Sequence, residues 1–553
     1  QSSTPEGNSA SVSEVHDDSK IHLGFGSLYF FTKNRSFMKW LFTLLAFSFL
    51  LHAFVLHAQE EKVDMEMVKK IRDEEMSHSQ VATIAHYLTD VSGARLTNSP
   101  GYRRAANWCV SEFKKWGLAN AATEPWGEFG KGWEIQKCYV ALSAPYYQSF
   151  IAYPFAWSAG TNGLLSAPVI AVAQDSASVE KLGTTLKGKI VMITNTDTSL
   201  RSAFQPFAKR FADSDLVNLK EQFWGTYDEM QQYLEGEKAK ERFYSLLQKK
   251  GVAAIVTKDY GGRDGTVHAD VIDSYKKDGH PVVPKIILST EDFLRVQRLL
   301  ESNIPVKLDM DIKTKFYTND LKASNVVAEI PGTDPVLKNE LVIIGGHLDS
   351  WYGGTGATDN AAGCTVMMEV VRLLKALDVK PRRTIRIVLW GGEEQGLFGS
   401  YNYVKNHFGN PATKELKPDQ SKVSAYYNLD NGSGKVRGIF LQENEALRPI
   451  FEKWLEPFAD LGATAVKSGN TGFTDHYTFD VTGMPGFEFI QDPLEYLTRT
   501  HHTNMDVYDH LAINDLKQAA AVIASFVYHT AMRDEKLPRK PLPKPEHWLF
   551  EGF

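Results

Sequence analysis

Apolar and polar residues alternate in two different ways along the chain, and the pattern changes near residue 319. Before that point, the segment "RRAANWCVSEFKKWG" places apolar residues on one helical face and ends in glycine, so it predicts a helix. The short apolar runs at 188–194 and 251–257 are bounded by turn residues and predict buried strands. Residues 200–247 between them are charged and predict a helical insertion in a β-rich segment.

Beyond residue 319 the pattern is typical of an alternating α/β sheet. The β-branched runs 340–350 and 383–394 enclose "AAGCTVMMEVVRLLKAL", whose apolar residues have helical spacing. A further run, 425–434, ends in an acid and a turn. Strand, helix and strand at this pitch predict a parallel sheet. Ligands of such sheets gather at the carboxyl ends of the strands, so we expect the functional residues there.

The composition is that of a soluble globular protein. Of the 553 residues, 43% are hydrophobic and 23% charged, which suffices for a large core. The net charge of -6, without a basic stripe, argues against a nucleic-acid partner. Cys109, Cys138 and Cys364 have no CxxC spacing, which excludes a disulfide scaffold and a thiolate zinc site. One bridge between Cys109 and Cys138 stays open.

The N-terminal residues predict an export signal. Residues 1–37 are polar and aperiodic, and we expect them to be a disordered or non-native leader. A basic start, an apolar run and the small residue Ala58 before polar residues predict a signal peptide at 38–58. The alternative is a membrane anchor, for which the run is short. We expect cleavage after Ala58, a secreted or periplasmic protein, and no stable membrane anchor.

Acidic residues and histidines follow the predicted strands. His347 and Asp349 are two residues apart, so on a strand they share a face and Asp349 would support a metal-binding imidazole. Such triplets also occur in loops as hydrogen-bonding residues. Glu393 and Glu394 are adjacent carboxylates, which repel unless a cation or a proton separates them. One would bind a metal and the other take a proton from water; the alternative is a solvated pair that opens a helix.

Further candidates complete a set of oxygen and nitrogen donors. Asp359 lies in the loop "GTGATDNAAG", either as a ligand or as a helix N-cap, and the glycines of this loop suggest a close backbone approach to a bound group. Asp430 follows "YYNL". His501 and His502 are adjacent, so spacing does not choose between them. The set fits catalytic zinc, or manganese or cobalt in its place. Residues 474–476 are interpreted as a hydrogen-bonding turn near the site.

Five motifs in this order, "GGHLDS", "GATDNAAG", "GGEEQGLFGS", "YNLDNG" and "HHTNMD", resemble the co-catalytic di-zinc aminopeptidases and their glutamate carboxypeptidase relatives. The similarity spans about 325–531. The resemblance implies an α/β zinc-exopeptidase fold, with a mixed, largely parallel central sheet flanked by helices. It also implies an N-terminal part of the peptidase domain at 59–163, a β-rich protease-associated insert at 164–306, and the main domain with the metal site at 307–553.

The resemblance further implies two zinc ions per chain and a role for each motif residue. It assigns His347 and Asp430 to one zinc, Glu394 and His502 to the other, and Asp359 to both. Glu393 would be the general base and Asp349 the carboxylate behind His347. The family also has a cis peptide bond after the bridging aspartate, here between Asp359 and Asn360.

The function implied is a secreted metallopeptidase acting on short peptides, an aminopeptidase or dipeptidase. A carboxypeptidase of the glutamate carboxypeptidase type is an alternative, which needs a cation such as Arg499 for the substrate carboxylate. A glutaminyl cyclase and an inactive receptor-like homologue are further alternatives, against which the complete ligand set argues. A homodimer stays open. We expect the insert to restrict access to the site, and not to be needed for metal coordination, because all five ligands lie outside it.

Overall fold

The computed structural model describes residues 61–194, 205–220, 226–281, 283–544, 548 and 550. The predicted leader and signal peptide, at 1–37 and 38–58, lie outside the described residues. Across the described parts of the chain, no helix combines the length and the apolar character needed to cross a membrane. The described residues from Lys62 onward form one packed unit that contains two sheets.

The first sheet is formed mainly by strands that follow residue 319, in the part of the chain with the predicted α/β pattern. Within the described residues it has eight strands, which are, in spatial order, β1 (Ala119–Glu128), β10 (Lys322–Ile330), β12 (Thr384–Trp390), β11 (Leu341–His347), β13 (Val423–Asn428), β16 (Gly486–Gln491), β14 (Val436–Phe440) and β15 (Ala465–Lys467). The central strands β12, β11, β13 and β16 are parallel to one another. Antiparallel pairs flank them, β1 with β10, β10 with β12, and β14 with β16. The predicted mixed, largely parallel sheet is confirmed.

The second sheet is built from the middle of the chain. Its eight strands among the described residues are, in spatial order, β3 (Gln148–Ser149), β2 (Gly132–Ala144), β9 (Lys307–Tyr317), β5 (Leu165–Val172), β6 (Ile190–Ile193), β7 (Ala254–Lys258), β8 (Lys285–Leu288) and β4 (Ala152–Pro154). The predicted strands at 188–194 and 251–257 correspond to β6 and β7. The sheet reaches beyond the predicted 164–306 segment at both ends, because β2 pairs with β9 and β9 pairs with β5.

Helices cover both sheets. They are α1 (Met65–His78), α2 (Val81–His86), α3 (Pro100–Lys115), α4 (Ser176–Leu182), α5 (Asp213–Val217), α6 (Tyr227–Lys249), α7 (Thr290–Glu301), α8 (Ala362–Ala376), α9 (Phe398–His407), α10 (Arg448–Leu455), α11 (His476–Asp480) and α12 (Ile513–Met532). The helix predicted from "RRAANWCVSEFKKWG" is α3, which begins with Ser99 as its N-cap and with Pro100 at its first position. The helix predicted between the two strands of the parallel sheet is α8.

The parallel sheet is buried on both faces, which explains its continuous apolar strands. On β11, Val342 and Ile344 belong to the core cluster that contains α8 and α12. Ile343 points to the opposite face, into a cluster with Trp390 and residues of α9 and α11. A strand covered by helices on both sides has no polar face, so it loses the alternation of a half-exposed strand. Each such side chain contributes about 1.5–3 kcal/mol through burial.

The three cysteines are not bridged in the structure. Cys109 and Cys364 are buried, and the Sγ of Cys109 lies 3.7 Å from the Sδ of Met368. Cys138 is exposed on β2. The bridge between Cys109 and Cys138 that the sequence left open is therefore not formed.

Candidate metal centre

The five predicted ligands meet at the carboxyl edge of the parallel strands. His347 is the last residue of β11, Glu394 follows β12, and Asp430 follows β13. Asp359 lies between β11 and α8, and His502 between β16 and α12. Because the parallel registers align the ends of these strands, residues far apart in the sequence converge there.

The donor atoms of these side chains face one another at nearly equal separations. His347 Nε2 lies 3.1 Å from Asp359 Oδ1 and 3.2 Å from Asp430 Oδ1. His502 Nε2 lies 3.3 Å from Asp359 Oδ2 and 3.2 Å from Glu394 Oε2. Two ligand atoms that share a tetrahedral zinc ion at about 2.0–2.1 Å lie about 3.3 Å apart. The side chains therefore fit two ligand groups that share Asp359, which offers one oxygen to each.

The electrostatics of this edge also favour bound cations. Burial raises the pKa of Glu393 well above its usual value, and it raises the pKa of Glu394, Asp475 and Glu488 to about 8 each. Among the described residues, Glu394 Oε1 is buried without a hydrogen-bond partner. Closely packed carboxylates resist ionisation unless positive charge balances them. Divalent cations in this position would supply that charge.

Asp349 holds the loop that carries Glu393 and Glu394. Its carboxylate accepts hydrogen bonds from the main-chain N–H of Glu393 at 3.2 Å and of Glu394 at 3.3 Å. The hydroxyl of Thr97 donates a third bond at 3.0 Å. The Nδ1 of His347 instead donates to the main-chain carbonyl of Asp349 at 3.0 Å, while the carboxylate lies 3.8 Å away. Because β11 ends at His347, the same-face spacing of a strand does not continue to Asp349.

Asp506 fixes the loop of Asp359. One carboxylate oxygen accepts from the main-chain N–H of Thr358 at 2.6 Å, and the other from that of Asp359 at 3.1 Å. The peptide bond between Asp359 and Asn360 is cis, as expected. Asp506 is the last residue of "HHTNMD", so this motif contributes a support for Asp359 beside the candidate ligand His502.

The glycines of this loop are needed for packing within the protein. A Cβ on Gly353 would lie 2.5 Å from the Cβ of Ala269, and one on Gly354 would lie 2.5 Å from the carbonyl oxygen of Asp506. A Cβ on Gly356, which has a φ of 61°, would lie 2.2 Å from the Cβ of Ser350. The close approach that these glycines predicted is thus made by neighbouring chain segments.

Asp430 is held by two groups that follow it in the sequence. The hydroxyl of Thr474 donates to its Oδ2 at 2.6 Å, and Glu488 of β16 accepts from its main-chain N–H at 2.8 Å. The turn at 474–476 therefore does hydrogen-bond next to the site, as predicted. Glu488 was not singled out from the sequence, because an acid inside a buried strand carries no motif.

His502 lies nearer to the other donors than His501 does. The Nε2 of His501 is 3.9 Å from Asp359 Oδ2, against 3.3 Å for His502. The Nδ1 of His502 faces Asp270 Oδ2 at 3.2 Å, and the hydroxyl of Tyr260 donates to the same oxygen at 2.7 Å. Asp270 and Tyr260 lie in the loop between β7 and β8 of the second sheet. No motif in the sequence indicated them.

Arg95 was also not singled out from the sequence. Its side chain is fully buried. The guanidinium donates to the carbonyl oxygens of Leu348 at 2.6 Å, Leu88 at 2.9 Å and Gly356 at 2.9 Å. These bonds hold both ends of the loop between His347 and Asp359.

A cavity of about 540 Å³ opens over the five donors. Its walls are largely apolar, and they include Phe440, Phe473, Phe489 and Leu497. The helix α6 of the predicted insert also contributes to the wall, with Glu229, Met230 and Tyr233. Residues of the predicted insert segment, 164–306, therefore form part of the cavity wall.

The polar lining of the cavity is acidic. Among the residues that the structure describes, no lysine or arginine lines it. Arg499, the cation considered for a substrate carboxylate, lies outside the lining. Its guanidinium is 3.7 Å from Glu495 and stacks over the ring of Phe207 at 4.9 Å from the centroid.

Comparison with known sequences identifies relatives of the chain. Residues 325–527 match the family described as Peptidase family M28. Carboxypeptidase Q of Mus musculus is 32% identical over 263 residues, which cover 48% of this chain and 53% of the relative. The chain thus spans about half the length of that relative. Carboxypeptidase Q of Bos taurus is 26% identical over 454 residues, or 82% of this chain and 85% of the relative.

Comparison with solved structures identifies the fold. A peptidase M28 precursor from Shewanella amazonensis has a TM-score of 0.62 at 22% identity, covering 86% of this chain and 98% of the other. A zinc aminopeptidase from Bacillus subtilis has a TM-score of 0.52 at 19% identity, covering 83% and 96%. The predicted zinc-exopeptidase fold is confirmed.

Proposed function

Since residues 325–527 match peptidase family M28, we propose that the protein is a di-zinc metallopeptidase that hydrolyses short peptides. The observation that carries the proposal is the pair of donor groups that share Asp359 at separations of 3.1–3.3 Å. His347 and Asp430 would hold one zinc ion, Glu394 and His502 the other. When bound, zinc polarises the scissile carbonyl and lowers the pKa of water.

Glu393 is the proposed general base. Its Oε2 lies 3.9 Å from His347 Nε2, so it stands beside the donor groups without being needed in either. It takes a proton from the attacking water and passes it to the leaving amine. The main chain of Glu393 is held by Asp349, which keeps the carboxylate at the edge of the cavity. The apolar walls lower the local dielectric constant, which strengthens these charge interactions.

The acidic lining of the cavity supports an aminopeptidase. A free substrate amine is a cation, and a lining carboxylate outside the proposed ligand set, such as Glu229, would attract it. A substrate carboxylate would need a positive partner, and within the described lining no lysine or arginine supplies one. The second candidate is a carboxypeptidase, favoured by the similarity to carboxypeptidase Q. The apolar walls suit a substrate with a hydrophobic side chain in either case.

A panel of leucine-containing dipeptides tests both the reaction and its direction. Each dipeptide would be supplied with both ends free, with the N-terminus acetylated, and with the C-terminus amidated. We expect the purified protein to cleave the free and amidated forms and to leave the acetylated form intact. Cleavage of the acetylated dipeptide, with no cleavage of the amidated one, would favour the carboxypeptidase. A protein that binds zinc but cleaves none of the three would contradict the proposal.

Zinc stoichiometry separates the remaining alternatives. Two zinc ions per chain are expected by mass spectrometry of the native protein. One tightly bound zinc ion, with cyclisation of N-terminal glutamine, would favour the glutaminyl cyclase. Absence of bound zinc would favour the receptor-like homologue.

Export is proposed from the sequence alone. Residues 38–58 have the plan of a signal peptide, which would place the enzyme outside the cytoplasm. N-terminal sequencing of the mature protein is expected to begin at Gln59. An uncleaved chain that retains residues 38–58 and is found in the membrane fraction would favour the membrane anchor.

A further inference from the structure

The second sheet is joined to the loop of His502 by main-chain hydrogen bonds. The N–H of Ala269 donates to the carbonyl of His502 at 2.7 Å. The N–H of Asn504 donates to the carbonyl of Val267 at 3.0 Å, and the side chain of Asn504 accepts from the N–H of Val267 at 2.7 Å. Residues 267–269 and 502–504 thus pair like two short antiparallel strands, with a bridge between His268 and Thr503.

This pairing fixes a backbone that a histidine seldom adopts. His502 has a φ of 61°, in the left-handed region that non-glycine residues rarely occupy. The carbonyl of His502 and the N–H of Asn504 are both bound to residues 267–269 next to this conformation. The imidazole is thereby directed at Asp359 and Glu394 with one nitrogen and at Asp270 with the other.

The side chain of Asp270 completes the arrangement. Its Oδ2 lies 3.2 Å from His502 Nδ1 and accepts a bond from the hydroxyl of Tyr260 at 2.7 Å. A carboxylate at this distance accepts the Nδ1 proton, so the imidazole presents the unprotonated Nε2 to a metal. His347, in the other donor group, has a main-chain carbonyl in the equivalent place. The Nδ1 of His502 therefore faces a charged carboxylate, whereas the Nδ1 of His347 faces a neutral carbonyl.

We propose that Asp270 is a positioning residue for the zinc ion that Glu394 and His502 would hold, so that the inserted sheet forms part of this one metal site. The inference rests on the proposed function, because it presupposes that zinc binds. It replaces the expectation that the insert is not needed for coordination. All five ligands do lie outside residues 164–306, but the carboxylate behind one of them lies inside.

The test is zinc binding by Asp270→Asn in the full chain. The substitution keeps the size of the side chain and removes its charge. The metal-free protein would be titrated with zinc against a competing chelator, and both binding steps would be resolved. We expect the zinc affinity of one binding step to fall by about 10–100-fold, as it does when a residue that hydrogen-bonds a metal ligand is replaced, and that of the other step to stay unchanged. Tyr260→Phe, which removes one hydrogen bond to the same oxygen, should weaken the same step by a smaller factor.

Asp273→Asn is the matched control. Asp273 lies in the same loop and pairs with Lys285 at 3.0 Å, away from His502. This variant also removes a carboxylate from the inserted sheet, and it should bind both zinc ions as the unmodified protein does. A double variant, His502→Ala with Asp270→Asn, should lose no more affinity than His502→Ala alone, because Asp270 acts through that imidazole.

The outcomes separate the inference from the proposed function. If the unmodified chain binds fewer than two zinc ions, the di-zinc function fails. If it binds two and Asp270→Asn binds both with unchanged affinity, the role of Asp270 is overturned while the function stands. Equal weakening of both steps, or the same loss in Asp273→Asn, would also overturn it, since the effect would then be a general one on the fold. Should Asp270→Asn fail to fold, an unchanged titration of Tyr260→Phe would decide against the inference.

Discussion

Replacing Asp349 with asparagine should affect stability and metal binding together. The Asp349 carboxylate is fully buried and accepts the main-chain N–H groups of Glu393 and Glu394 on separate oxygens. Asparagine has the same shape but only one acceptor oxygen. One of the two N–H groups would therefore face an amide NH₂ and lose its partner, whichever way the new side chain is turned. Thr97 can rotate its hydroxyl and accept from the amide.

The size of the effect follows from the bond that is lost. A hydrogen bond to a charged group contributes about 1.5–3 kcal/mol, so the free energy of unfolding of the metal-free protein should fall by about that amount. The loosened loop carries Glu393 and the candidate ligand Glu394. We therefore also expect zinc affinity to fall by about 10–100-fold.

Urea unfolding of the metal-free protein and zinc titration against a chelator measure the two effects. Asp292→Asn is a suitable control, because Asp292 is also buried and accepts a main-chain N–H, from Ile151 at 2.9 Å, and a hydroxyl, from Ser289 at 3.0 Å. It lies on α7 of the second sheet, and both of its bonds end on the same oxygen, Oδ2, so the amide oxygen of asparagine can keep both. This variant should therefore lose less stability and leave zinc affinity unchanged. A stability within about 0.5 kcal/mol of the unmodified protein, with unchanged zinc affinity, would refute the role assigned to Asp349.

Three further predictions concern the base, the metal and a buried acid. Glu393→Gln should keep both zinc ions and lower turnover by about 10²–10⁴-fold, and loss of zinc would show that the two glutamates have been assigned the wrong way round. Removal of zinc should lower the unfolding free energy, by about 2.7 kcal/mol for each site when free zinc is 100 times its dissociation constant, and a melting temperature that chelator leaves unchanged would contradict this. Glu75 on α1 is 1% exposed, and burial together with the charge of Glu369 raises its pKa to about 9. Between these two pKa values the folded protein keeps a proton that the unfolded chain releases, so the free energy of unfolding should fall as the pH rises from about 4.5 to 9. Glu75→Gln should flatten this dependence in thermal melts.

Four of the five candidate ligands share one property, because each ends or follows a strand or precedes a helix within a recognisable motif, whereas His502 was selected by the family resemblance. A buried parallel strand is continuous and apolar, so its end is visible in the sequence, and His347, Glu394 and Asp430 stand at such ends. The fold class followed from the same pattern. Their convergence then required only that parallel strands end at one edge of a sheet.

The residues that support the site were less visible for a physical reason. Asp270 and His502 are 232 positions apart, and their contact depends on how two sheets pack, which no local pattern encodes. The atom of residue 349 that faces His347 Nδ1 is the main-chain carbonyl, and β11 ends at His347, a boundary that the sequence pattern did not define. The glycines at 353 and 354 looked the same in the sequence whether a ligand or Ala269 approached them.

The pairing of residues 502–504 with the loop of the second sheet also determines when the donor set is completed during synthesis of the chain. His347, Asp359, Glu394 and Asp430 are made before His502, and Asp270 is made before all of them. All the strands of both sheets among the described residues also precede His502 in the chain. The last donor arrives only with the segment that pairs with residues 267–269. The donor set is thus complete only after residues 502–504 have been made and have paired with residues 267–269.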